Sequence, residues 1–310
     1  MIPSPRITPI LTLAFVSAII ATGFFLFARN QLQPPAAQLK DVVFASSIAP
    51  LADIARNIAG NTADVLQLVP SGASPHSYTF TPQDISTLQN ARALFIIGNN
   101  LDDWSARPVA QSANVPVVVV DTGIALREFG EEHEKDEHEE EEHGSVDPHY
   151  WLSVPNAKII AQTTAQTMSE YDPEHADTYQ QNLVTYEEKL DALEVTLQEQ
   201  AARASQKNFI AVHDAWSYFT AQYGFNLVDT YEPVEGREPS VDDLQRMKTL
   251  ITQHNISTFY TEPQKLSTSA TQFIHKEFGL DIEILDPVGG LQGRESYIDL
   301  MKFNMRQLAE

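Results

Sequence analysis

Cysteine is absent from the 310 residues, which removes disulfides, thiolate metal sites and a catalytic thiol from consideration. It also removes the lipid-modified cysteine that anchors many exported proteins. Any metal site must be assembled from histidine, aspartate and glutamate. Basic residues are scarce as well: 20 Lys and Arg stand against 42 Asp and Glu, for a formal charge of −22. That deficit excludes a nucleic-acid binder, which needs a basic face, and favours cations over phosphates as ligands.

Long hydrophobic runs are lacking with one exception. From Ile7 to Ala28 no residue is charged, and at about 1.5 Å per helical residue the run can cross a hydrocarbon core. Candidate signal-cleavage points after Ala28 or Ala37 have Leu26 or Pro35 in the third position back, a poor fit to the small-x-small rule. We therefore expect residues 1–39 to form an uncleaved N-terminal membrane anchor, or failing that a signal segment, followed by a polar linker. The bulk of the chain is expected outside the cytoplasmic membrane, in the periplasm or at the cell surface.

From residue 40 short apolar runs alternate with amphipathic stretches. Val42 to Ala45, Val65 to Val69, Ala93 to Ile97 and Val115 to Val120 read as buried strands, with helices near 49–60 and 82–91. This alternation predicts a parallel sheet covered by helices, an α/β lobe over 40–170 that includes an acidic loop at 128–146. After Asp172-Pro173, an N-cap followed by proline, residues 174–204 lack Gly and Pro and repeat Tyr179, Leu183, Tyr186, Leu190, Leu193 and Leu197 at helical spacing. A long helix over 171–205, acting as a rigid strut, is the expectation; a coiled-coil dimer is the competing reading, which a single such helix does not favour. Strands at Phe209 to Val212, Phe225 to Val228, Thr258 to Tyr260 and Ile282 to Leu285 then alternate with helices near 214–223, 240–254, 267–278 and 295–309, giving a second α/β lobe over 206–310. Ser240 is the expected N-cap of the helix that begins there. The two lobes share no clear sequence repeat.

The most biased segment is EEHEKDEHEEEEH, residues 131–143, in which nine acidic residues and Lys135 surround His133, His138 and His143. With almost nothing apolar to bury, such a segment has little to offset the entropy of ordering, but its imidazoles and carboxylates suit divalent metals. An acidic solubilising loop is the plainer reading. The neighbouring phrase Asp147-Pro148-His149-Tyr150-Trp151 tips the balance toward metal. In open α/β sheets ligands bind beyond the carboxyl ends of strands. His76, His149, His213 and Asp286 all follow such ends, two in each lobe, and three imidazoles with one carboxylate suit a zinc site in a cleft between lobes. His175, His254 and His275 lie in helical stretches without matching partners and read as structural.

The phrases Ser74-Pro75-His76-Ser77-Tyr78, Thr81-Pro82-Gln83-Asp84, Asp147-Pro148-His149-Tyr150-Trp151, His213-Asp214-Ala215-Trp216, Glu238-Pro239-Ser240, Thr261-Glu262-Pro263-Gln264 and Leu285-Asp286-Pro287-Val288-Gly289 resemble the metal-specific solute-binding proteins of ABC importers. They occur in that family's order across essentially all of 41–310. The resemblance implies two Rossmann-like lobes with parallel sheets joined by a long rigid helix, a metal held between them by His76, His149, His213 and Asp286, and delivery to an ABC permease and its ATPase. We further expect a monomer, and no enzymatic activity, because four protein ligands would close the coordination sphere and no HExxH motif is present. Zinc members often carry a His/acid-rich loop before the second ligand. Manganese members usually have glutamate at the third position, so His213 points to Zn²⁺, with Mn²⁺ or iron as the alternative. His133, His138 and His143 would then collect metal for the cleft, and Asp214 and Glu262 are candidates for orienting the ligand histidines. A zinc-dependent hydrolase is the rival from another class, and a role in adhesion or zinc buffering is a possible addition.

Overall fold

Short runs rich in β-branched and aromatic residues form eight strands among the described residues, which in this computed structural model are 40, 42–105, 114–129, 146–232 and 239–309. The expected anchor in 1–39, and His133, His138 and His143, lie outside them. Strands β1 (Val43–Ser46), β2 (Asp64–Gln67), β3 (Leu94–Ile96) and β4 (Val117–Val119) form a parallel sheet in the order β2-β1-β3-β4. Strands β5 (Asn208–His213), β6 (Asn226–Glu232), β7 (Thr258–Thr261) and β8 (Asp281–Ile284) repeat the arrangement as β6-β5-β7-β8. One topology thus occurs twice without a visible sequence repeat. In each sheet the order reverses beside the first strand of the lobe, which is where such sheets open a ligand crevice.

The helices are α1 (Ala49–Ala59), α2 (Pro82–Leu88), α3 (Val154–Tyr171), α4 (Ala176–Arg203), α5 (Ser217–Tyr223), α6 (Val241–His254), α7 (Ser269–Phe278) and α8 (Tyr297–Ala309). Capping boxes start two of them, Thr81 with Asp84 at α2 and Ser240 with Asp243 at α6, each satisfying otherwise unpaired donors of a first turn. The expected N-cap at Asp172 does not form. Its Oδ2 instead accepts hydrogen bonds from the Tyr179 hydroxyl at 2.5 Å and from His175 Nδ1 at 2.7 Å, and a 3₁₀ turn at Pro173–His175 precedes α4.

The 28 residues of α4 span about 42 Å at 1.5 Å each. Its buried stripe is Tyr179, Tyr186, Leu190, Leu193, Leu197 and Ala201, and it packs on α1 and α3 of the first lobe and on α8 of the second. The strut is therefore embedded rather than bridging open space. Helix α3, which the sequence pattern does not announce, packs against it and buries Val154, Ala157, Ile160, Ala161, Ala165 and Met168. One hydrophobic core runs from Phe44, Ile48 and Phe95 through Tyr186, Leu190 and Leu193 to Phe209, Trp216, Tyr297 and Met301. Smaller clusters cover the other faces of the sheets, around Leu88 and Leu94 in one lobe and around Met247 and Phe259 in the other.

Candidate metal site

Three side chains from three separate chain segments meet between the lobes. His76 lies in the loop after β2, where the Trp104 indole donates to Pro75 O at 2.9 Å and packs on Tyr78. Glycine is required nearby: Gly72 has φ +81°, and an added Cβ would sit 3.3 Å from Leu291 of the opposite lobe. His149 precedes a 3₁₀ turn at Tyr150–Leu152, which the Tyr150 hydroxyl pins to Ile97 O and the Trp151 indole pins to Pro287 O, each at 2.8 Å. His213 is the last residue of β5.

The ring centroids of these histidines lie 5.0 to 5.3 Å apart, and His76 Nε2 is 3.2 Å from His149 Nε2. One nitrogen from each can be chosen so that all three fall within 4.8 Å of one another. His149 and His213 are 2% and 6% exposed, while His76 is half-buried. Ser74, Pro75, Trp151, Glu262, Gln264, Pro287 and Val288 complete the walls of a chamber of about 10 Å³, room for roughly one water-sized sphere.

Carboxylates fix two of the rings from behind. Asp147 Oδ1 lies 2.8 Å from His149 Nδ1 and also accepts the His149 backbone N–H at 2.9 Å. Its other oxygen accepts the Ser217 hydroxyl from the second lobe. Glu262 Oε1 lies 2.8 Å from His213 Nδ1, a contact that strand register explains. Ala211 pairs with Tyr260 across β5 and β7, so two residues further on His213 and Glu262 stand side by side. With Nδ1 engaged, Nε2 is the nitrogen of each ring that can serve as a ligand. Burial works to raise both carboxyls, but the hydrogen bond and charge of His149, with the Ser217 hydroxyl, hold Asp147 below the usual carboxylate range. For Glu262 the hydrogen bond and charge of His213, followed by Lys265 and His149, do the same. Both acids are thus anionic acceptors that favour a donor proton on Nδ1, the arrangement that orients metal-ligating imidazoles.

The remaining expected positions fall differently. Asp286 is buried at 3% exposure but is not one of the clustered groups. Its Oδ1 accepts the backbone N–H of Val288 at 3.0 Å and of Gly289 at 2.8 Å, and its Oδ2 faces Arg294 Nε at 3.4 Å. Burial pushes its carboxyl up, with those N–H groups and Arg294 opposing and Glu262 assisting. Asp214, an expected orienting acid, lines a separate hollow with Thr220, Asp229 and His254. Asp147 contacts His149 instead. The signal for it was its place two residues before His149, close enough to fold back onto the ring.

The fold and the small imidazole-walled chamber define a class, the two-lobed solute-binding proteins. The profile described as "ZnuA: Zinc-uptake complex component A periplasmic" matches residues 43–310, and the chain belongs to that family. The high-affinity zinc uptake system protein ZnuA of Bacillus subtilis (strain 168) is 32% identical over 271 residues, covering 84% of each chain. The iron-binding protein YfeA of Yersinia pestis is 28% identical over 315 residues, covering 99% of this chain and 96% of that one. The zinc-binding protein AdcA of Streptococcus pyogenes (strain MGAS315) is 27% identical over 303 residues, but this chain spans only 58% of its length. A crystal structure of a ZnuA 138–173 deletion mutant with zinc bound superposes with a TM-score of 0.74 at 28% identity, covering 86% of this chain and 96% of that one.

Proposed function

We propose that this protein is the extracytoplasmic receptor of an ABC importer that captures Zn²⁺ and delivers it to the membrane permease and its ATPase. The observation that carries the reading is the chamber: three imidazoles converge on a space that fits one small ion. His76, His149 and His213 are the proposed ligands, with Asp147 and Glu262 holding the rings. Asp286 remains a candidate fourth donor, reachable once its contact with Arg294 is exchanged. Nitrogen-rich ligation suits zinc better than manganese, and the B. subtilis and S. pyogenes relatives carry zinc in their names.

A hydrolase is the weaker reading, because the family profile and the B. subtilis relative are named for zinc uptake. We read residues 40–170 and 206–310 as the two lobes, 171–205 as the connecting helix and 1–39 as the membrane attachment. The protein acts as a monomer in this scheme. Among the described residues no helix is long and apolar enough to cross a membrane, so attachment rests on the sequence of 7–28. His133, His138 and His143 collect zinc near the cleft and raise its local concentration.

Zinc titration calorimetry of the unaltered protein, His76→Ala, His213→Ala and a 131–143 deletion tests this scheme. The deletion should keep one tight site, and each histidine variant should lose it. Unchanged tight binding in both histidine variants would overturn the cleft assignment.

A further inference from the structure

Asp286 and Arg294 form a buried pair whose geometry is incomplete. Asp286 is anchored through its backbone, since its N–H donates to Asn304 Oδ1 at 2.9 Å and its carbonyl accepts from Asn304 Nδ2 at 2.7 Å. One carboxylate oxygen closes the turn at Val288 and Gly289. The other, Oδ2, is buried without a hydrogen-bond partner, as are Arg294 Nε and Nη1, although Oδ2 and Nε are only 3.4 Å apart. The Arg294 guanidinium is also stacked on the Phe303 ring at 4.4 Å, and its backbone is fixed by turn hydrogen bonds to Gly290 and Leu291. A cation held this firmly beside an uncommitted carboxylate oxygen acts on that oxygen by charge more than by hydrogen bonding.

Location gives the pair its meaning. Asp286 directly precedes Pro287 and Val288, two walls of the chamber, and its charge is felt alongside that of Glu262, the acid on His213. Resting on the reading of the chamber as a zinc site, we propose that Arg294 sets the metal preference of the cleft by retaining Asp286 Oδ2 and offsetting its charge. An entering ion then meets three imidazole nitrogens before any hard anionic oxygen. Such a donor set serves zinc, whereas manganese gains most from carboxylate oxygen. Arg294 is a specificity-determining residue that acts through Asp286.

The test is calorimetric titration of the full chain with Zn²⁺ and with Mn²⁺, comparing the unaltered protein, Arg294→Met, Asp286→Asn and the double variant. Methionine keeps apolar contact with Phe303 while removing the charge. Arg294→Met should raise manganese affinity relative to zinc by about tenfold, the lower end of what a partner behind a metal ligand commands. Adding Asp286→Asn should return the ratio to its original value, a reversal that general loosening of the fold would not produce. Manganese should also raise the thermal midpoint of Arg294→Met more than that of the unaltered protein, because the ion would compensate a carboxylate left without its cation. If Arg294→Met does not fold, Arg294→Gln carries the same comparison. A zinc-to-manganese ratio unchanged by loss of the Arg294 charge, with zinc still bound, overturns the role of Arg294. Failure of the unaltered protein to bind zinc would instead overturn the functional reading beneath it.

Discussion

At the scale of single residues, a carboxylate stands behind each of two imidazoles, Asp147 behind His149 and Glu262 behind His213. Asp147→Asn or Glu262→Gln should weaken zinc binding by about 10- to 100-fold while leaving stoichiometry at one, measured by competition with a chelator. Undiminished affinity in both would leave these contacts without a role in binding. Because a ligating imidazole must give up its proton, zinc affinity should also fall as pH drops below neutrality, in the same titration. Asp102 offers an independent pH test. It is fully buried, accepts Ser47 Oγ at 2.5 Å and the N–H groups of Ile97 and Gly98 at 2.8 and 2.7 Å, and is pushed up to about 6, chiefly by burial. A carboxyl whose folded-state value lies above its unfolded one favours folding while protonated, and that advantage is lost as pH rises from about 4 to above about 6, by at most about 3 kcal/mol. Asp102→Asn stays neutral throughout. Its urea midpoint should therefore fall less than that of the unaltered protein over this interval, and an equal fall in both would rule Asp102 out as the source.

At the scale of elements, close approach between the lobes depends on backbone without side chains. Gly290 has φ +76°, and a Cβ there would lie 3.0 Å from Ala49 Cβ and 2.9 Å from Ser71 Cβ. Gly290→Ala should cost at least about 1 to 2 kcal/mol from the left-handed conformation alone, with the contact adding to it, as read by chemical denaturation. Strands were legible from their apolar runs, and α4 from a stripe of large residues uninterrupted by glycine or proline. Helix α3 was not, because its buried face is made mostly of alanine and threonine, whose spacing gives a weak contrast with the polar face. His76 was legible from its place after a strand and His213 from its place at the end of one, whereas His149, far beyond β4, was legible from the Asp147-Pro148-His149-Tyr150-Trp151 phrase. The Asp286–Arg294 contact was not, since it depends on how a loop turns back between β8 and α8 and no periodicity encodes that path.

At the scale of the whole molecule, the core threads both lobes through α4. Heating should therefore produce one cooperative calorimetric transition for residues 40–310, and two resolved transitions would mean that the lobes are energetically separate. The same continuity opposes wide separation of the two lobes. The strongly acidic chain should draw in Zn²⁺, and the association rate in stopped-flow experiments should decline as salt is added, with dissociation far less affected. A salt-independent association rate would contradict this steering.

The bridge between Glu128 and Val146, with Asp147 N–H donating to Arg127 O at 2.8 Å, holds residues 127–128 and 146–147 side by side. A doubling of the length between two ends already joined costs only about 0.6 kcal/mol in closure entropy. Adding or removing a few residues within 130–145 should therefore change the stability of the lobe by only a fraction of a kcal/mol, as read by chemical denaturation.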